Sequence, residues 1–300
     1  MKNLFSLFIL LFLVQIVNGQ DDLLNELEKQ DSSNNNYTFA TFKGSRVING
    51  QSVETRRRGE LEFIFSHRFG LVNGGAYTLW GLDESVTRLG LEYGITDRFG
   101  VGIGRTSADK TYDGYVRYKV LRQRDNGTPV TITAMGTLTY KTFPNEEDDP
   151  AAAAELNANK RMAYTAQVMI ARKFNTKLSL QVNPIFVHRN YVVNETYENK
   201  DDFALAFAGR YKITKSMAIS AEYTARLNAN ENVPPTYVRY DAVGIGFDIE
   251  TGGHVFQLLF TNTLGMFERF TITQTDHNFW DGDIHFGFNI TRTFQLSKKQ

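Results

Sequence analysis

The sequence of 300 residues predicts an all-β fold, namely a single antiparallel transmembrane β-barrel of about 12 strands with short periplasmic turns and long outer loops. Three observations predict it. Apolar side chains alternate with polar or small ones in successive segments from residue 60 onward. The connections between these segments alternate between tight turns and long loops. Ionisable residues that share the parity of the apolar face lie near the ends of the segments.

Composition excludes several other classes of protein. The chain has no cysteine, which excludes disulfides, cysteine-based zinc sites and cysteine nucleophiles. It has 33 basic and 33 acidic side chains, whereas a nucleic-acid-binding protein usually shows a basic excess. The aromatic content of 13% and the 24 glycines, beside only 6 prolines, favour β-structure.

The N-terminus precedes the predicted barrel and has two parts. Residues 1–19 are interpreted as a signal peptide, because Lys2 is followed by an almost entirely apolar stretch and cleavage is expected after Gly19. The alternative is a retained membrane anchor, for which this stretch is short. Residues 20–58 are interpreted as a polar periplasmic N-terminal segment, in which residues 21–30 form a short helix that either docks on a partner or is frayed.

Residues 59–300 are interpreted as the outer-membrane β-barrel. The alternating segments are residues 61–65, 89–95, 99–103, 116–120, 130–140, 164–170, 178–186, 203–211, 217–225, 243–249, 256–260 and 284–290. The long connections are residues 70–84, 141–160, 190–201, 228–237 and 264–281, and tight turns include residues 96–97, 174–176, 214–215 and 251–253. A soluble β-sandwich has no reason to sort its connections in this way, whereas outer-membrane barrels have short periplasmic turns and long outer loops.

The charges on the apolar face agree with a lipid-facing surface. Arg or Lys at the bilayer midplane costs roughly 2–4 kcal/mol, and the cost falls toward zero at the interfaces. The ionisable residues with outward parity all lie near strand ends: His67, Arg105, Arg172, His188, Arg239, Asp241 and Arg292. Aromatic girdles are expected from Tyr93, Tyr118, Tyr140, Tyr211 and Phe294.

Four stretches carry a family resemblance. They are ATFKGSRVINGQSVETRRRGELEFIFSHRFG (residues 40–70), LWGLDESVTRLGLEYGITDRFGVGIGR (79–105), KTYDGYVRYKVLRQ (110–123) and FWDGDIHFGFNITRTFQL (279–296). They resemble a Bacteroidota outer-membrane β-barrel family of unknown function. The resemblance implies one barrel in the outer membrane of a Gram-negative bacterium, with membrane lipid and the barrel-assembly machinery as partners. It brings no catalytic residues.

The inward face of the predicted barrel is rich in cations. Inward parity is shared by Arg68, Arg88, Arg117, Lys119, Lys141, Arg210, Lys212 and Arg226, beside Glu62, Glu92 and Glu222. The candidate solute-binding residues on this lining are Arg68, Arg88, Glu92, Arg117, Lys119, Arg210, Glu222 and Arg226. Two hypotheses remain open: a narrow pore whose cationic lining favours anionic solutes, or a closed interior filled by Arg–Glu networks.

Five glycines could leave space beside that lining. They are Gly90, Gly94, Gly100, Gly102 and Gly104, and they share the inward parity of the charged residues. This space could admit the N-terminal segment or a loop as a plug, or the glycines could simply permit strand curvature.

No catalytic site is predicted. None of the five histidines is followed two residues later by serine, which is the spacing of a lipase pair on one strand face. The acidic stretch of residues 145–149 is better interpreted as an exposed loop than as a calcium site. We therefore expect no enzyme, metal, cofactor or nucleic-acid partner. The hypothesis is a narrow channel for small solutes, and the alternative is a non-conducting structural or partner-binding scaffold.

Overall fold

A computed structural model describes residues 37–124, 127–142, 157–230 and 232–296. These residues form a closed antiparallel barrel in which each strand pairs with its neighbours in sequence and the first strand pairs with the last. The strands are β1 Glu60–Leu71, β2 Ser85–Gly94, β3 Phe99–Thr106, β4 Thr111–Leu121, β5 Thr131–Lys141, β6 Met162–Lys173, β7 Leu178–Arg189, β8 Asp201–Lys212, β9 Met217–Arg226, β10 Ala242–Thr251, β11 His254–Thr261 and β12 His285–Gln295. The predicted barrel of about 12 strands is confirmed.

Most connections at one end of the barrel are short and most at the other end are long, with residues 122–130 and 107–110 as the exceptions. One end, here called the short-turn end, has the connections at residues 95–98, 122–130, 174–177, 213–216 and 252–253. The other, the long-loop end, has residues 72–84, 107–110, 142–161, 190–200, 227–241 and 262–284. The predicted signal peptide and the acidic stretch of residues 145–149 lie outside the described residues. No helix within the described ranges is long and apolar enough to cross a bilayer.

The strands alternate between an apolar outer face and a small or polar inner face. On β8, Phe203, Phe207 and Tyr211 are exposed, whereas the alanines between them are buried. Predicted outward charges at strand ends lie over aromatic rings: the guanidinium carbon of Arg105 is 5.5 Å from the centroid of Tyr112, and that of Arg292 is 4.8 Å from Phe294. Such cation–π pairs place the charge where the bilayer meets water.

Residues 37–58, here called the plug, enter the barrel from its short-turn end, and residues 41–55 are mostly buried inside it. Their central part is a tight hairpin, in which Val47 N donates to Gly50 O at 3.0 Å and Ser52 N donates to Ser45 O at 2.8 Å. Its apolar side chains pack against inward residues of the wall in one buried cluster: Phe42, Val47, Ile48, Val53, Tyr115, Met135, Met169, Ala171, Ala208 and Leu259. The wall supplies both apolar contacts and hydrogen-bond partners for residues 41–55, so this part of the chain packs in the barrel interior. The bounds of the N-terminal segment, residues 20–58, stay a prediction.

The last long connection folds inward from the long-loop end. It contains a six-residue helix, Glu268–Thr273, here called the lumenal helix, which the sequence did not predict. Ile272 of this helix packs against Ile185, Val187, Ala204 and Ala206 on the inner wall. The lumen is thus occupied by the plug from the short-turn end and by the lumenal helix from the long-loop end.

A substitution at Gly94 on β2 tests how closely the plug packs against the wall. A Cβ built at Gly94 would overlap the carbonyl oxygens of Arg56 and Arg57, which are plug backbone atoms. Overpacking of this kind costs about 1–3 kcal/mol. We expect Gly94→Ala to loosen the plug and to make trypsin cleavage in the basic run at residues 56–58 about tenfold faster, since 1.4 kcal/mol is a factor of ten.

The matched control is Gly136→Ala, because a Cβ at Gly136 meets no atom within 4 Å. Both variants should keep the heat-modifiable migration of a folded barrel. Equal cleavage rates in the two variants would show that the plug does not press on Gly94.

Candidate functional site: the plugged lumen

All eight candidate solute-binding residues lie on strands that line the lumen. Seven of them are at most 9% exposed, and the side chain of Arg226 is 10% exposed. They divide into a group that holds the plug, namely Arg68, Arg117, Lys119 and Glu222, and a group bound to other wall residues, namely Arg88, Glu92, Arg210 and Arg226. That these residues bind a solute stays a prediction.

Two wall residues of opposite charge hold the tip of the plug hairpin. Glu222 on β9 accepts hydrogen bonds from Gly50 N at 3.0 Å and Ile48 N at 3.3 Å. Arg68 on β1 donates to Ile48 O at 3.3 Å and to Asn49 Oδ1 at 3.0 Å. Both side chains are buried, and neither forms an ion pair in the part of the chain that the structure describes. The hairpin supplies the hydrogen-bond donors of Glu222, whereas Arg68 divides its bonds: Nη2 binds the hairpin, and Nη1 donates to wall oxygens that include Asn289 Oδ1 at 3.1 Å.

The rising and descending arms of the plug bind further charged groups. Arg117 on β4 donates to Glu54 O and to Gln51 Oε1, each at 2.6 Å. Lys119 lies 3.3 Å from Glu54 Oε2. On the other side, Glu62 accepts from Ser45 Oγ at 2.6 Å. Hydrogen bonds to ionised groups contribute about 1.5–3 kcal/mol each, so these contacts fix the position of the plug.

Other lumen charges are paired within the wall itself. Arg88 binds Asp113 through Nε at 2.9 Å and Nη2 at 2.5 Å. Arg210 binds Asp248 at 3.1 Å and also Glu250, and Arg226 binds Asp202 at 2.5 Å. These pairs close across neighbouring or nearly neighbouring strands. Glu250 also binds a plug residue, because its Oε2 lies 3.0 Å from Lys43 Nζ.

The expected cationic excess is corrected by those acids. Asp113, Asp202, Asp248 and Glu250 are buried at inward positions, in addition to the three carboxylates predicted for that face, Glu62, Glu92 and Glu222. The same two-residue alternation would have identified them: Asp113, for example, has the parity of Arg117 on β4. The lining is therefore a network of both charges.

The long-loop end is closed by an acid that binds three partners. Asp109 Oδ2 lies 3.0 Å from Lys141 Nζ and 3.3 Å from Arg269 Nη2, and it accepts from Gln274 Nε2 at 3.1 Å. Burial alone would raise the pKa of Asp109, but the charges of Lys141 and Arg269 outweigh burial and hold this pKa below its usual value. Asp109 is thus ionised at neutral pH and anchors the segment that follows the lumenal helix.

The plug and the segment before the lumenal helix touch inside the barrel. Arg46 Nη1 donates to Met266 O at 2.6 Å and to Asn49 O of its own hairpin at 3.1 Å. Asn49 Nδ2 also donates to Thr261 Oγ1 at 2.9 Å, at the end of β11. One hydrogen-bond chain therefore joins the element that enters from the short-turn end to the element that enters from the long-loop end.

A vestibule remains between the plug and the wall at the short-turn end. Its volume is about 1050 Å³, and its lining includes Lys43, Arg56, Arg57, Arg58, Lys119 and Arg122 beside Glu54, Glu60 and Asp97. The described residues contain no group of three or more His, Asp or Glu side chains placed to hold a metal ion. The charged side chains of the lumen hold the plug in place, and those of the vestibule are available to bind a charged solute.

Glu222→Gln should loosen the plug tip, because the amide has lost the charge that two backbone N–H groups bind. Loss of hydrogen bonds to a charged group costs about 1.5–3 kcal/mol, which raises the fraction of molecules with a displaced plug tenfold or more. Ser52, which is fully buried in the plug, provides a reporter site because the chain has no cysteine. In a Ser52→Cys background we expect Glu222→Gln to accelerate maleimide labelling about tenfold.

Glu84→Gln makes the same chemical change in an exposed outer loop and is the control. If both glutamine variants label at the rate of the Ser52→Cys parent, Glu222 does not hold the plug closed.

Comparison with known proteins adds the family. The NanC porin in its rhombohedral crystal form has a TM-score of 0.49 and 10% identity, with 79% of this chain and 100% of that chain covered. The KdgM porin has a TM-score of 0.45 and 8% identity over 78% and 99%, and Omp33 of Acinetobacter baumannii has 0.40 and 8% over 81% and 100%. No curated protein matches the sequence. The family model described as a membrane-bound β-barrel domain (DUF5777) matches residues 42–294, and the chain belongs to that family.

Proposed function

We propose that this protein is a gated channel of the outer membrane that passes small solutes, and that the plug closes it at rest. One observation carries the proposal: the lumen is filled by a separate N-terminal segment held through polar contacts. Closed β-barrels that span membranes belong to outer membranes, where assembly machinery inserts them and surrounding lipid contacts them.

The wall does not need the plug for its closure. The β1–β12 ladder runs from Glu60 opposite Gln295 to Leu71 opposite His285, and the wall pairs of Arg88 with Asp113 and of Arg226 with Asp202 are independent of residues 37–58. The plug joins the barrel at its own C-terminal end, just before β1, so its displacement requires no strand to separate. Family membership begins at residue 42 and thus includes the hairpin in the family domain.

The wall alone would leave a wide lumen. Inward positions on β8 are alanines at 204, 206 and 208, and inward positions on β3 are glycines at 100, 102 and 104. Small side chains of this kind do not fill a barrel of twelve strands, whereas barrels of eight strands are just filled by their own side chains. Withdrawal of the plug would therefore empty the short-turn side of the lumen. It would also release the segment before the lumenal helix from its contact with Arg46, so that the helix can move and an aqueous path can open.

Anionic solutes are favoured in this proposal. Plug withdrawal removes neutral acceptors and one carboxylate from Arg68, Arg117 and Lys119. It frees the carboxylates of Glu62 and Glu222 and takes Lys43 away from Glu250. The uncovered surface then has three cations and three anions. Arg68 has no carboxylate partner among the described contacts, so it is the cation that raises the local concentration of anions in a narrow passage.

The alternative is a non-conducting scaffold. The specific observation in its favour is the closure of the lumen from both ends, with direct contact between Arg46 and Met266. In that case the plug would serve as the barrel core, and function would lie in the outer loops or the N-terminal segment.

Planar-bilayer recording separates the two functions. We expect the mature chain to be silent or to open rarely, and a variant that lacks residues 37–55 to show discrete steps with anion preference. Arg68→Gln in that deletion background should lower the anion preference, because Arg68 has no carboxylate partner among the described contacts. Arg105→Gln removes the same charge from the outer face and should leave selectivity unchanged.

Heat-modifiable migration verifies that each deletion variant is folded. A folded deletion variant that conducts no ions, even after residues 264–277 are replaced by a short flexible linker, would reject the channel and favour the scaffold.

A further inference from the structure

A small, partly enclosed cavity lies where the plug, the lumenal helix and the wall meet. Its volume of about 10 Å³ corresponds to one water-sized species. The plug contributes Gly50 and Gln51, and the helix contributes Glu268 and Thr271. The wall contributes Gln167, Asn183, Ile185, Ala206, Ala208, Glu222 and Thr224.

Two oxygen atoms of residues in this lining lack a hydrogen-bond donor. Gln167 Oε1 and Asn183 Oδ1 are buried and unpartnered, and both residues are only 4% exposed. The orientation of the Gln167 amide is set by its Nε2, which donates to Glu268 Oε1 at 2.8 Å. An unsatisfied buried acceptor is costly, so these two oxygens call for an electropositive partner.

Two buried carboxylates line the same cavity. Glu222 and Glu268 are 5% and 4% exposed, and neither forms an ion pair within the described residues. Glu222 is bound by the backbone N–H groups of Ile48 and Gly50, and Glu268 by the amide of Gln167. Each carboxylate oxygen can accept more than one bond, so both groups keep free lone pairs.

We propose that this cavity binds one divalent cation of the calcium class. Its ligands would be the carboxylates of Glu222 and Glu268 and the amide oxygens of Gln167 and Asn183. Calcium takes oxygen ligands in flexible geometry, and carboxylates and side-chain carbonyls are its usual donors. A divalent ion also balances two buried negative charges that arginine does not contact directly.

The site joins all three parts of the closed lumen. Glu268 belongs to the lumenal helix, Glu222 holds the plug tip, and Gln167 and Asn183 belong to β6 and β7. A bound cation therefore stabilises the closed state over any state in which the plug or the helix has moved. This consequence for gating rests on the proposed channel function, whereas binding itself does not.

Calorimetric titration of the refolded mature chain tests the site directly. After removal of metals with a chelator, we expect one Ca²⁺ ion to bind per chain. Glu268→Gln should weaken binding at least about tenfold, because one charged ligand is lost. Asn183→Asp should tighten binding, because a third carboxylate is added. Glu84→Gln, in an exposed loop, should bind as the parent does.

Glu268→Gln and Asn183→Asp are expected to change Ca²⁺ affinity in opposite directions, so the test remains informative even if one of the two variants folds poorly. Absence of Ca²⁺ binding at millimolar concentration, or equal binding by the parent, Glu268→Gln and Asn183→Asp, would overturn the proposal and identify the species in the cavity as water. Conductance of the variant without residues 37–55 tests the channel separately, so loss of one proposal does not decide the other.

Discussion

Closure of the lumen depends on the hydrogen bonds that Glu222 and Arg68 make to the tip of the plug hairpin. A buried charge without a partner costs several kcal/mol, and breaking one member of a buried pair costs about 3–5 kcal/mol. Here the partners are the peptide groups of Ile48 and Gly50 and the side chain of Asn49. A hairpin tip presents N–H and C=O groups in opposite directions, so one short turn satisfies a carboxylate on β9 and a guanidinium on β1 together.

This dependence explains why the interior is polar. Wall pairs such as Arg88 with Asp113 satisfy their charges without the plug, and they hold the inner surface in a defined arrangement. Glu222 has its hydrogen-bond donors on the plug, whereas Arg68 and Arg117 bind both the plug and the wall, Arg117 through Glu92 at 3.4 Å. Some charged wall residues thus have their ion-pair partners within the wall, whereas others bind the plug and hold it in one position. A purely apolar interior would bury as much surface, but water entering an emptied lumen would then meet no polar groups.

Much of the wall could be predicted from the sequence. Each strand alternates apolar with polar or small residues, and outward-facing charges near strand ends have aromatic neighbours. Inward parity also placed Arg68, Arg88 and Glu222 correctly on the lumen side. The lumenal helix could not be predicted. It contains β-branched Thr271, Ile272 and Thr273, which are poor helix formers, and it has only six residues. The hydroxyls of Thr271 and Thr273 donate to carbonyls four residues earlier, which does not favour a helix. The packing of Ile272 stabilises the lumenal helix, and that packing exists only after the barrel has closed.

The position of the plug deep in the barrel also could not be predicted, because its contacts form only in the folded barrel. Residues 37–58 have a polar composition typical of an exposed segment, and their partners are distant in sequence: Arg46 and Met266 are 220 residues apart. No local pattern encodes such a contact. The glycines on β2 and β3 indicated space beside the lining, and Gly94 does lie against the plug backbone, but glycine alone does not distinguish a plug from curvature.

The contact between Arg46 and Met266 couples the two ends of the lumen. When the plug is in place, Met266 O has a charged donor, and the arginine has an acceptor beyond its own hairpin. Withdrawal of the plug removes that donor, so the segment before the lumenal helix loses one of its fixed points. Displacement of the helix equally removes an acceptor from the plug. Because coupling between two equilibria is reciprocal, whatever opens the long-loop end also lowers the free energy needed to withdraw the plug from the short-turn end.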